Sequence, residues 1–102
     1  MTITSRERAE LRAEAHHLSP LVHVGHQGLT DALLQTLDDT LRTRELVKVA
    51  LAKTTDVKPK DAAHAIAEKL GADVVQTIGR TCTVYRENPD LKKKKGSPPP
   101  WR

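Results

Sequence analysis

No phenylalanine occurs in this chain of 102 residues, and one tyrosine (Tyr85), one tryptophan (Trp101), one methionine and one cysteine (Cys82) complete the sparse side of its composition. The core must therefore be aliphatic, built from Leu, Val, Ile and Ala. Modules that read single strands by stacking bases on a sheet need several aromatics in strands. Only Tyr85 sits in a plausible strand, so RRM and cold-shock architectures fit poorly. A lone cysteine excludes an intramolecular disulfide, and within its alternating pattern Cys82 is expected as a small buried apolar group. No apolar stretch approaches a membrane span, and the arginines of the N-terminus alternate with Glu7, Glu10 and Glu14, which leaves no signal-peptide core. A cytoplasmic protein is expected.

Excess charge is also scarce where a core could form. Residues 1–86 hold 12 Lys/Arg against 11 Asp/Glu, whereas residues 87–102 hold 5 against 2. Positive charge in the first segment can act only as a local patch. The candidates are Arg6, Arg8 and Arg12 on the first helix, with Lys48, Arg80 and Arg86 on strands. Arg8 and Arg12 form an i,i+4 like-charge pair, which a helix serving structure alone does not favour. The length suits one domain with a modest core.

Local signals predict the order αβαβαββ. Thr4-Ser5-Arg6-Glu7 reads as a capping box, followed by a narrow apolar stripe of Leu11, Ala15 and Leu18 that stops before Ser19-Pro20. Residues 21–24 form a short strand. Leu33, Leu34, Leu37 and Leu41 give one face of a second helix. Residues 45–53 carry Val47, Val49 and Leu51 on one side and Leu46, Lys48, Ala50 and Ala52 on the other, as in a central strand. Pro59 opens a third helix with Ala62 or Ala63, Ile66 and Leu70 inward, and Gly71 closes it. Residues 72–78 and 81–86 then alternate around Gly79-Arg80, a pair suited to a type II′ hairpin. The domain is expected to span residues 1–87. Residues 88–102, with Lys92 to Lys95 and Pro98-Pro99-Pro100-Trp101, are expected to form a solvated, disordered, basic tail.

Between the first strand and the second helix stands Gly25-His26-Gln27-Gly28. Two glycines three apart allow positive φ and close backbone approach. A helix start capped by Thr30 or Asp31 adds free N–H groups and the positive end of a helix dipole. Such a loop can hold a phosphate.

Four dispersed segments, in order, resemble one family. They are Ala15-His16-His17-Leu18 with Pro20; Val24-Gly25-x-x-Gly28-Leu29-Thr30; Glu45-Leu46-Val47-Lys48-Val49; and residues 75–81 with Val84-Tyr85-Arg86. Residues 4–86 resemble the CRM domain, named for chloroplast RNA splicing and ribosome maturation, in its bacterial stand-alone YhbY-like form. The resemblance implies a compact α/β fold with a four-stranded mixed sheet and three helices, similar to the C-terminal domain of translation initiation factor three. It also implies RNA binding through the G-x-x-G loop and neighbouring basic surface, and association with precursors of the large ribosomal subunit. By position, Gly25, His26, Gln27 and Gly28 are the loop. Relatives often carry Lys, Ser or Asn inside it, so His26-Gln27 is a departure that removes fixed charge. Residues 53–63 also diverge.

The expected partner is RNA, held at the loop and Thr30 and flanked by Arg6, Arg8, Arg12 and Arg80, with no membrane or small-molecule substrate. A monomer is expected. No catalytic residues are expected: Ser5 and Ser19 lack a G-x-S-x-G context, and no paired carboxylates accompany a P-loop spacing. Neither a metal nor a cofactor is expected. Adjacent histidines on a helix diverge, and structural zinc needs four N/S ligands in recognisable pairs. One of His16 and His17 is expected to cap the first helix and the other to pack beneath the loop. The competing reading is a protein-interaction module that uses the sheet or the proline-rich end, with the RNA loop vestigial.

Overall fold

In the computed structural model, residues 3–88 are described. The lysine run and the proline-rich segment of the expected tail lie outside them. The elements are α1 (Ser5–Ala15), β1 (Val22–Val24), α2 (Asp31–Arg44), β2 (Leu46–Leu51), α3 (Pro59–Leu70), β3 (Asp73–Ile78) and β4 (Thr81–Tyr85). The strands form one mixed sheet in the order β1-β2-β4-β3. β1 and β2 are parallel, and the other pairs are antiparallel.

The helix starts follow from local chemistry. Glu7 N donates to Thr4 Oγ1 at 3.1 Å and Thr4 N donates to Glu7 Oε1 at 3.3 Å, closing the capping box. α3 begins with Pro59 at its first turn and ends at Gly71, whose φ of +65° is the left-handed closure that glycine accepts readily. In the hairpin, Gly79 takes φ +57° and Arg80 is not among the positive-φ residues, the pattern of a type II′ turn.

Alternation along the strands divides the interior in two. Val47, Val49 and Leu51 of β2 join Cys82 and Val84 of β4 against α2 and α3, forming the main core. Leu46 and Val75 meet Ile3 and Leu11 in a smaller cluster beneath α1. The register breaks between Val74 and Gln76. Val74 packs in the main core, while Val75 and Gln76 both serve the α1 side, as expected where a bulge inserts one residue.

Long-range bonds correct several local expectations. α1 stops at Ala15, before Leu18, and its end is held by Lys48, whose Nζ donates to the carbonyls of Ala15 at 3.2 Å and Leu18 at 3.4 Å. His16 and His17 are both exposed, so the ammonium does the carbonyl capping expected of an imidazole. Lys48 thus belongs to the packed face. Arg86, a candidate for the positive patch, is instead tied into the fold. Its Nη1 donates to Asp38 Oδ1 at 2.7 Å and to Leu70 O at 2.9 Å, and its Nη2 donates to Asp38 O at 3.0 Å. One guanidinium thereby fastens α2, the end of α3 and the end of β4. That hydrogen bond, with the charges of Arg86 and Arg42, holds the Asp38 carboxyl below its ordinary value against the opposing effect of burial. Beside it, buried Glu45 takes φ +63° at the α2–β2 junction and accepts from Asn88 N through Oε2 at 2.6 Å. Asn88 Nδ2 also donates to Arg42 O at 2.7 Å.

Candidate nucleic-acid interface

Strand direction decides which loops meet. β1 and β2 run parallel, so the loops after both strands leave the same end of the sheet, and α2 and α3 begin there. In open α/β sheets this is where ligands are held. Ala52 N donates to Val24 O at 2.9 Å and Leu51 N donates to Arg80 O at 2.7 Å, tying the three connections together. The glycine loop, residues 52–58 and the Gly79-Arg80 tip therefore share one end.

The loop closes on itself. Gly28 N donates to Gly25 O at 3.0 Å and Thr30 N to Gly28 O at 3.1 Å. Thr30, rather than Asp31, caps α2: its Oγ1 accepts from Leu33 N at 3.1 Å. The N–H groups of Asp31 and Ala32 remain directed out of the first helical turn. Gly25, His26, Gln27, Gly28 and Thr30 line an open depression of about 350 Å³. His26 and Gln27 are exposed, and their backbone N–H groups have no partner among the described residues.

The two glycines are not equivalent. Gly28 has φ +71°, and a Cβ there would lie 3.2 Å from Val57 Cγ2, so the turn itself requires glycine. Gly25 does not use positive φ, contrary to the expectation for both. A Cβ on Gly25 would meet nothing within 4 Å. Nothing inside the fold demands glycine at 25, and the bare backbone there is open to the outside.

The contact of Gly28 with Val57 brings a cationic segment that sequence reasoning missed. Lys53 and Lys58 flank that loop, and Lys60 follows in the first turn of α3, all exposed. The signal available in the sequence was lysine on both sides of Pro59, at a helix start that Lys58 leaves without a side-chain cap. Arg80 is exposed at the neighbouring tip. These cations face Asp31, Asp56 and Asp61 at the same end. Net charge is therefore small, and the unpaired N–H groups are the main feature this end offers to an anion.

The remaining predicted residues lie on α1, across the sheet from α2 and α3. Arg6 is exposed and pairs with Glu10 at 3.5 Å, Arg12 is exposed, and Arg8 is half-buried with its Nε lacking a partner. No hydrogen bond or ion pair links them to the loop. Cys82 is buried, and burial pushes its thiol up to about 11, so it stays protonated at neutral pH. Among the described residues, no group of three or more His, Cys, Asp or Glu could hold a metal ion, and no helix is long and apolar enough to cross a membrane.

Comparison with known proteins gives consistent findings. The family model of the CRS1 / YhbY (CRM) domain matches residues 3–86. The Bacillus subtilis protein named "Probable RNA-binding protein YqeI" is 33% identical over 91 residues, covering 89% of this chain and 95% of that protein. Pseudomonas aeruginosa "Probable RNA-binding protein PA4753" is 35% identical over 97 residues, covering 91% and 89% respectively. The solution structure of the hypothetical protein SAV1595 from Staphylococcus aureus superposes with a TM-score of 0.76 at 31% identity, covering 89% of this chain and 95% of that one.

Proposed function

The chain belongs to the CRS1 / YhbY (CRM) domain family, and from that premise we propose that it is a non-catalytic RNA-binding protein that docks on RNA through the glycine-loop end of its sheet. The observation that carries this reading is Gly25, a glycine that the fold does not need, at the rim of a loop whose tip N–H groups are unpaired. A phosphate oxygen fits there, between the loop and the start of α2. Arg80 and the lysines of residues 53–60 supply attraction to the flanking backbone, and Arg6, Arg8 and Arg12 extend the contact along α1. The names of the relatives support RNA as the partner. The RNA we assign is the precursor of the large ribosomal subunit, in keeping with the YhbY-like character of the chain, and the setting is the cytoplasm.

Recognition of this kind works by shape and charge. Backbone N–H groups and flexible cations read phosphate positions, not base identity. The test is association with ribosomal particles in a cell extract. Release by RNase and by rising salt is the expected result. Retention after complete RNase digestion would instead assign the interaction to a protein partner.

A further inference from the structure

α1 covers only part of its face of the sheet. Cross-strand register places Lys48, Thr83 and Gln76 in one row, and His23, Ala50, Thr81 and Ile78 in the next row toward the glycine-loop end. Beyond the last turn of α1 these rows form an open groove of about 210 Å³, lined by His16, Lys48, Gln76, Ile78, Thr81 and Thr83. Its volume is below the roughly 300–1,000 Å³ of pockets for drug-sized ligands. One planar ring system fits; a whole cofactor does not.

Two features of the lining point to an occupant. Thr83 is 1% exposed, and its Oγ1 has no hydrogen-bond partner, although an unsatisfied buried hydroxyl is unfavourable. Ile78 is 58% exposed, a large apolar side chain on the wall of a groove whose other lining residues are of polar types. A ligand that suits both has an apolar face and an edge of donors and acceptors. Gln76 offers both an acceptor and donors, and the hydroxyls of Thr81 and Thr83 can act either way. Lys48 uses two of its three protons on Ala15 and Leu18, which leaves one for an acceptor. A phosphate would need more free cation than this. A nucleobase meets every condition.

We propose that this groove receives the base of one unpaired nucleotide in the RNA whose backbone rests on the glycine loop. The inference builds on the RNA-binding reading above and adds a site to it. β1 and β4 are separated by β2 alone, so the groove lies about 10 Å from β1 across two strand spacings. A strand leaving the loop reaches it within a few nucleotides.

The test uses three RNA hairpins: fully paired, with one bulged nucleotide, and with the same bulge made abasic. Binding is measured by fluorescence anisotropy with the full chain. The parent should prefer the bulged RNA over the abasic one by about tenfold, the scale of one good base contact. Thr83→Val keeps the β-branched shape and removes the unpartnered hydroxyl, so melting should hold or rise while the preference falls severalfold. Gln76→Ala, at a half-buried position, should act the same way and decides the matter if Thr83→Val melts lower. Affinity for the abasic RNA should not change in either variant. Equal binding of bulged and abasic RNA by the parent, or an unchanged preference in both variants, overturns the base site and leaves the RNA reading standing. Absence of binding to all three RNAs at low salt overturns both.

Discussion

Arg80 and Arg86 flank β4, one at each end of the sheet, and their surroundings put the same side chain to opposite uses. Arg86 is one-fifth exposed, makes three hydrogen bonds to α2 and the end of α3, and lowers the pKa of its partner Asp38. Arg80 is exposed at a hairpin tip, where its carbonyl serves the fold and its guanidinium makes no hydrogen bond or ion pair among the described residues. The contrast extends to their neighbours. Around Arg86, Glu45 and Asn88 bond inward, whereas at the end of the sheet that carries Arg80 the N–H groups of His26 and Gln27 have no partner among the described residues. One end of the molecule fixes its polar groups against each other; the other holds them ready for something else.

The largest expected effect comes from breaking the closed end. Arg86→Met keeps the stem, removes the head group and leaves Asp38 partly buried opposite an apolar tip. It should destabilise the domain by about 2–3 kcal/mol, lowering the melting temperature by roughly 10–20 °C. RNA affinity at temperatures where the variant is folded should match the parent. A melting curve like the parent's would mean that the contrast between the two ends is false. Acid probes the same contact. The Asp38 carboxyl titrates below its ordinary 3.8 in the folded state, so its contribution is fully present above that pH and is lost as pH falls below it toward the folded value. Asp38→Asn should flatten that acid limb of the stability curve, measured by urea melts between pH 5 and 2.5.

Next comes the open end. Gly25→Asp should weaken RNA binding tenfold or more, about 1.4 kcal/mol, with melting unchanged, because it places a carboxylate where a phosphate must approach. Gly28→Asp should lose both properties, since φ +71° and Val57 oppose any side chain, at a cost of about 1–2 kcal/mol in the fold. If Gly25→Asp also unfolds, or binds RNA like the parent, the separate roles of the two glycines are refuted. A smaller effect is expected at Arg80→Met: a few-fold weaker binding, a salt dependence of log K shallower by about one unit, and no change in melting. The smallest is a gain. His26→Lys restores the fixed charge absent from this loop and should tighten binding about threefold at moderate salt, with a slope steeper by up to about one unit.

What could be read from the sequence divides along the same line as sequence separation. The capping box at Thr4, proline at the first turn of α3, glycine at 71 and the Gly79 turn each depend on neighbours within a few positions, and all four stand where local chemistry put them. Alternation in β2 was enough to make it central. Bonds that span the chain were not legible: Lys48 reaches carbonyls 30 and 33 residues away, and Arg86 reaches a carboxylate 48 residues away. Neither periodicity nor propensity carries that information. The candidate site was half legible for the same reason. Gly25 to Thr30 is a local motif, whereas the lysines around Pro59 join it only through the packing of Val57 on Gly28, and the difference between the glycines depends on that contact. The groove beside α1 was hidden further, since it exists because the helix ends at Ala15 and a bulge turns Gln76 to the same side as Val75.

The single cysteine turns the molecule into its own opening reporter. Cys82 lies in β4, an interior strand between β2 and the edge strand β3, fully buried in the main core and opposite Val49 and Thr77 in the register. A thiol so placed reacts with an aromatic disulfide reagent only when the sheet comes apart, so the modification rate measures how often the core is exposed. Gly25→Asp, Arg80→Met and His26→Lys should leave that rate where it is, and Arg86→Met should raise its logarithm in proportion to the stability it removes, all read from the absorbance of the released thiolate with no label introduced.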